Sequence, residues 1–306
     1  MAVTTDPYTN TDAVAVINEV WPGMINEAFF AKTVAANFFT DLSAFMTNGG
    51  DIIHIPDAFT NVFTVVTQVT QGTEVVTESV ATVDVTLTVN LHKYVSFLMG
   101  RLTLNQIASQ YDLTAVYVRE SANLLKDALE DSLFALWSSL STNSVGDTAT
   151  TLADVEIRQA IELLDTLNYP INELAFFFHP YVFWNQLAAI AKYYDQSIAG
   201  GQSFVREGNF GPMDWERGLR GSLYGIPIYL SSNVVSGLQT YRNLLAHPSA
   251  FGFAIQNGQS GKVVVTTSWE NRNLAQLTNV EIIYGVAVLR EPAAVLINAS
   301  SAFIGS

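Results

Sequence analysis

The clearest pattern in the chain is a strict alternation. Val83, Val85, Leu87, Val89 and Leu91 are apolar, while Thr82, Asp84, Thr86, Thr88 and Asn90 between them are polar. Side chains of a strand point alternately to its two faces, so this period predicts a strand with one dry and one wet face. Upstream, Asp51-Ile52-Ile53-His54-Ile55-Pro56 reads as a short strand stopped by proline, and Phe63 to Val69 is β-branched and rich in threonine. The stretch from Gln68 to Ser79 is polar but studded with valine. Together these segments predict a long β-hairpin within 51–99, with a protruding tip near Gly72. A lone two-stranded hairpin is marginal in water, so one of this length must lie on a body, its own or a neighbour's.

The period then changes. Leu125, Leu129, Leu133, Leu136 and Leu140 recur at spacings of four and three, one apolar stripe of a helix. With Asp112 as N-cap, this helix is expected to run from Leu113 to Leu140, ~42 Å at ~1.5 Å per residue. Asn143 to Asp147 reads as a turn. Leu152 to Leu167 is amphipathic, with Val155, Ala160, Ile161, Leu164 and Leu167 expected on its buried side. Leu174 to Phe178 reads as a buried strand ended by His179-Pro180, with a helix from Tyr181 to Ala191. Residues 195–221 are glycine-rich and aperiodic, which predicts a mobile or partner-contacting loop. Strands are expected at Ile226–Leu230, Asn243–Ala246, Lys262–Thr267 and Val280–Leu289, then a short apolar segment from Pro292 to Ile297. Residues 1–50 read as an extended arm around a helix, broken by the turn Trp21-Pro22-Gly23 and closed by Asn48-Gly49-Gly50.

Composition narrows the function classes. Of the 306 residues, 49% are hydrophobic and only 14% charged, against roughly 25% in an average globular chain. A surface poor in charge fits burial against other subunits, because interface cores are depleted in charge. The net charge is −14 with only 14 Lys and Arg, which speaks against a protein that grips DNA phosphates. The absence of cysteine removes disulfides, thiolate metal sites and cysteine nucleophiles. Met1 to Val20 has no signal-peptide pattern, and no stretch approaches the roughly 20 apolar residues that span a bilayer, so no membrane association is expected.

Candidate chemistry is sparse. His54 and His92 fall in strands, and His179 and His247 each precede a proline at a strand end, where capping is the expected role. Gly258-Gln259-Ser260-Gly261-Lys262 imitates a phosphate loop, but Gln256 replaces its first glycine and Val263 its Ser or Thr. It also leads into a strand, so it reads as a hairpin turn. Glu130 and Asp131 on the long helix read as a solvated face, and Glu74 and Glu78 lie at the hairpin tip. No catalytic residue, cofactor site or metal site is expected, and the chain reads as a non-enzyme.

The order of these elements resembles the major capsid proteins of tailed bacteriophages, the Hong Kong 97-type fold. An arm (1–50) precedes an extended β-hairpin loop (51–99), then a helix like the family's spine helix. The stretch from Val280 to Val295 is similar to the family's closing segment, a long strand ending at a proline. Leu244 to Ala254 looks like its strand, proline and short-helix phrase, and Phe176 to Tyr181 repeats that logic. Gly221 to Ile228 resembles the family's glycine-proline lead into an axial-domain strand. The resemblance implies an α+β fold with a peripheral domain (100–149 and 277–291) and an axial domain (150–276 and 292–306). It implies a virion protein, assembled in the bacterial host cytoplasm as hexamers and pentamers of a shell around double-stranded DNA, without sequence-specific contacts. Portal and decoration proteins are implied partners. The chain lacks a long charged N-terminal extension, so scaffolding is expected to be a separate protein. Inter-subunit contacts are expected between Gln71, Gly72, Glu74 and Glu78 of the hairpin tip and Arg119 and Lys126 of a neighbour's helix. The alternatives are an encapsulin-type nanocompartment shell, a phage tail or baseplate protein, and a soluble acidic hydrolase.

Overall fold

The computed structural model describes residues 33–46, 50–57, 83–100, 113–190, 219–237, 240–256 and 263–300. In chain order these form α1 (Ala35–Phe38), β1 (Thr40–Asp41), β2 (Ile52–Asp57), β3 (Val83–Thr88), β4 (Leu91–Gly100) and α2 (Leu113–Ala135). There follow β5 (Ser144–Val145), α3 (Asp154–Thr166), β6 (Ala175–Phe178), α4 (Pro180–Asn185), β7 (Leu219–Leu223), β8 (Ile226–Leu230) and β9 (Thr240–Ala246). The last strands are β10 (Phe251–Ile255), β11 (Val264–Glu270), β12 (Ala275–Val288) and β13 (Ala294–Ser300). The arm before Thr33 and the loop 195–218 lie outside the described residues.

Three sheets organise the molecule. In a five-stranded sheet, β4, β10 and β11 all pair antiparallel with β12, and β1 extends it beside β10. A six-stranded sheet runs β5-β13-β9-β6-β8-β7. The strands β2 and β3 form a separate two-stranded ribbon. Helix α2 packs on β12, where Leu125, Leu129, Leu133, Phe134 and Trp137 join Val280, Ile282 and Tyr284 in one core. The hydroxyl of fully buried Tyr284 donates to the Ala128 carbonyl (3.0 Å), so its polar end is satisfied by the helix backbone. The second core lies on the other face of the six-stranded sheet, where Ile157, Ala160 and Leu164 of α3 meet Phe176, Phe178 and Val295. Strand β6 divides the two cores. Its four residues are all buried, Phe177 toward the α2 core and Phe176 and Phe178 toward the α3 core, which explains its unbroken apolar sequence.

Several sequence expectations shift. The alternation 83–91 is seen in burial, but the strand breaks at Val89-Asn90, where Val89 N–H donates to the Asp51 carbonyl (2.7 Å). Residues 91–100 leave the ribbon and pair with β12 instead. Pro56 does not stop β2, which runs one residue further; a two-stranded ribbon leaves one side of the strand free of the ladder. Helix α2 gives way after Ala135 to a 3-10 turn through Ser139, and Trp137 takes the buried place expected of half-buried Leu136. In α3 the buried stripe is Ile157, Ala160 and Leu164, whereas Val155 and Leu167 are exposed. Ser144–Val145 is a short strand parallel to β13 instead of a turn. The strands flanking Gly258–Lys262 do not pair with each other, so no hairpin is closed there; both pair with β12.

The largest departure is Glu130, which is fully buried. Its carboxylate accepts from the backbone N–H groups of Val34 (2.6 Å), Ala35 (2.6 Å) and Ala36 (3.0 Å), the otherwise unpaired donors at the start of α1. Burial raises its pKa, against the lowering by these bonds. Asp131 beside it is exposed, as expected. A second carboxylate binds backbone at the joint between the sheets. Glu291, between β12 and β13, accepts from Ser141 N (2.7 Å) and Thr142 N (2.9 Å), just beyond α2. These bonds lower its pKa to about 2.

Replacing Glu130 by Ala strands three buried N–H groups and is expected to destabilise the chain by about 2–5 kcal/mol in chemical denaturation. Glu291 has a depressed folded pKa, so its stabilisation is present above 4.5 and is lost as pH falls toward about 2. Glu291→Gln is therefore expected to be less stable than the parent at neutral pH, with the gap closing across that acidic window. A constant gap in stability-versus-pH curves contradicts this.

Candidate assembly surfaces

The ribbon of β2 and β3 stands on a small apolar root. Leu87 and Val89 are buried with Met46 and Ala254, and Ile53, Ile283 and Ala287 pack against them. The wet face of the ribbon carries His54 and Asp84, paired across the strands at 2.5 Å (Nδ1 to Oδ2). The root crosses β12 at Gly285. A Cβ there would collide with the Thr88 carbonyl and crowd the Val89 Cα, so only glycine lets the two backbones approach this closely. Beside the root, an apolar cleft of about 210 Å³ is lined by Leu42, Ile55, Pro56, Val85 and Leu289 among others. The tip residues Gln71, Gly72, Glu74 and Glu78 lie outside the described residues.

Helix α2 places Arg119 and Lys126 as exposed side chains seven residues apart, hence on the same edge of the helix. Exposed Tyr117 and Leu124, also seven apart, line the other edge of the buried stripe. The two proline phrases are capped alike. His179 Nδ1 accepts from Tyr181 N (3.1 Å), and His247 Nδ1 accepts from Ser249 N (3.2 Å). Burial lowers the His179 pKa, consistent with a neutral ring stacked on Tyr241 at 4.3 Å between centroids. His92 and Glu281 pair across β4 and β12 (3.0 Å), and His247 Nε2 lies 2.9 Å from Glu173. Among the described residues no three His, Asp or Glu side chains gather as a metal site.

No protein-family model matches the chain, and neither does any curated protein. Solved structures do. A chain from Mycobacterium phage Che8 is similar over 92% of this chain and 97% of its own, with a TM-score of 0.70 and 20% identity. The mature capsid of bacteriophage PhiM1 matches over 92% of this chain and 91% of its own, with TM-score 0.67 and 15% identity. The chain has the Hong Kong 97-type capsid fold. The holo-SrpI encapsulin complex of Synechococcus elongatus is also similar, over 97% of this chain and 98% of its own, with TM-score 0.65 and 13% identity.

Two residues hold the fold together in ways the sequence reading misses, Gly285, which it passes over, and Glu130, which it takes for part of a solvated face. Gly285 sets where the end of β3 crosses β12, and Glu130 ties the start of α1 to α2. Gly285 sits in an otherwise apolar strand sequence, Ile283-Tyr284-Gly285-Val286, and an isolated glycine there signals close backbone approach. Glu130 gives no such signal. Gly285→Val is expected to push the hairpin root off β12 and raise amide exchange at 86–90 by at least about tenfold; unchanged protection there would contradict this placement.

Proposed function

We propose that the chain is the major capsid protein of a tailed double-stranded DNA bacteriophage, with self-association as its function and no catalytic role. The observation that carries this reading is the ribbon of β2 and β3, rooted at Gly285 and continued by residues 58–82, on a fold shared with phage capsids over most of the chain. In this reading α2 with the five-stranded sheet is the peripheral domain and the six-stranded sheet with α3 and α4 the axial domain. In this reading the pairing of β10 and β11 with β12 also supports counting these two strands with the peripheral domain, although the sequence places them in the axial segment 150–276. The hairpin lies across a neighbouring subunit, with Glu74 and Glu78 near its Arg119 and Lys126. Exposed ion pairs contribute ~0–1 kcal/mol each, so apolar burial supplies most of the contact. The acidic chain encloses DNA without gripping it; scaffolding, portal and decoration proteins are its proposed partners, and assembly takes place in the bacterial cytoplasm.

The encapsulin likeness supports a second reading, in which the same shell encloses cargo protein. A hydrolase reading gains less. The two carboxylates bound to backbone, Glu130 and Glu291, spend their oxygens on N–H groups instead of facing a cleft. The chain expressed alone is expected to give shells, capsomers or tubes in negative-stain electron microscopy. A monodisperse monomer by light scattering at every concentration would sink the shell reading. Deleting 68–79 should leave a folded subunit that no longer closes shells. Nuclease-protected DNA in native particles supports the capsid, whereas a folded protein cargo supports the nanocompartment.

A further inference from the structure

Strand β11 (Val264–Glu270) is bonded to β12 on one side and, among the described residues, to nothing on the other. Its pairing with β12 runs without a register shift from Val264 to Glu270. Free edges are commonly blunted by lysine, proline or a bulge, because they are templates for another strand. This edge has none of these, and Val264 to Trp269 carries no charge. Val265 is 46% and Trp269 45% exposed.

The strand is also complementary to itself. Paired antiparallel with its own copy about Thr267, it sets Val265 opposite Trp269 of the second copy and Trp269 opposite its Val265. Thr267 then meets Thr267, and Thr266 meets Ser268. Aromatic with β-branched, and threonine with threonine or serine, are favourable cross-strand pairs. The two Glu270 side chains fall at opposite ends of the ladder, ~20 Å apart and beyond the Debye length of ~8 Å. For a chain of net charge −14, a charge-free edge is a place where two copies can approach.

We propose that β11 joins β11 of a second copy in an isologous antiparallel ladder about a two-fold axis through Thr267. The shell reading supplies the setting, a closed assembly with two-fold contacts, but the contact itself rests on this edge alone.

The chain has no cysteine, so single cysteines report cleanly. Directly opposed residues of antiparallel strands have Cα atoms ~4.5–5.5 Å apart, within the range a disulfide spans. Thr267→Cys is expected to yield a covalent dimer on non-reducing gels, read on whatever species the chain forms. Val265→Cys alone should stay monomeric, and Val265→Cys with Trp269→Cys should restore the dimer. Closed particles without any Thr267→Cys dimer would overturn the ladder and leave the shell reading standing. A dimer without particles would do the reverse. Equal cross-linking of the Val265 and Thr267 single variants would mark random collision and also overturn the ladder. Thr267→Lys, at an exposed site, should fold normally by circular dichroism yet lose the contact; unimpaired assembly counts against it.

Discussion

The structure depends on one apolar interface, the leucine stripe of α2 against β12. Three other strands hydrogen-bond to β12, so the position of that strand sets the whole five-stranded sheet. Its burial against Leu125, Leu129, Leu133 and Trp137 fixes its face, and a one-residue slip would turn Val280, Ile282 and Tyr284 outward. Tyr284 strengthens this choice, since its hydroxyl finds the Ala128 carbonyl only in the observed register. Gly285 follows it directly, so the helix contact and the hairpin root are set by neighbouring residues of one strand.

Two carboxylates then attach what that interface does not cover. Glu130 holds the start of α1 against the middle of the long helix. Glu291 holds the chain beyond α2 against the link between β12 and β13, joining the two passages between the large sheets. The two ionise in opposite directions, Glu130 upward by burial and Glu291 downward by backbone donors. Geometry is alike in both, and exposure decides the sign. In a chain with so few charges, these acids act as structural fasteners.

Much of this was legible in the sequence. Period two showed the ribbon strand because one of its faces is dry, as Leu87 and Asp84 confirm. The four-three spacing showed α2, and the His-Pro phrases showed both caps. What failed were tertiary facts. Glu130 looks like any helix-surface acid until α1, distant in sequence, is laid on it. The phase of α3 was misjudged because Val155, two residues from Ile157, lies about 200° round the helix from the buried stripe, and Leu167 comes just after the last helical residue. The partner of β4 could not be read either, since an alternating strand does not declare which edge it joins.

The place of β12 in the chain also has a consequence for synthesis. Its partner β4 ends at Gly100, while β12 begins at Ala275. At ~5–20 residues per second, translation leaves β4 waiting roughly 10–35 s for its ladder. Through that interval Leu91, Val95 and Phe97, which pack against the α2 core in the finished fold, belong to an unpaired strand on the nascent chain, open to wrong partners. A ribosome must therefore add roughly 175 residues after β4 before the sheet can close, and crowding of such chains on one messenger would favour clumping over folding.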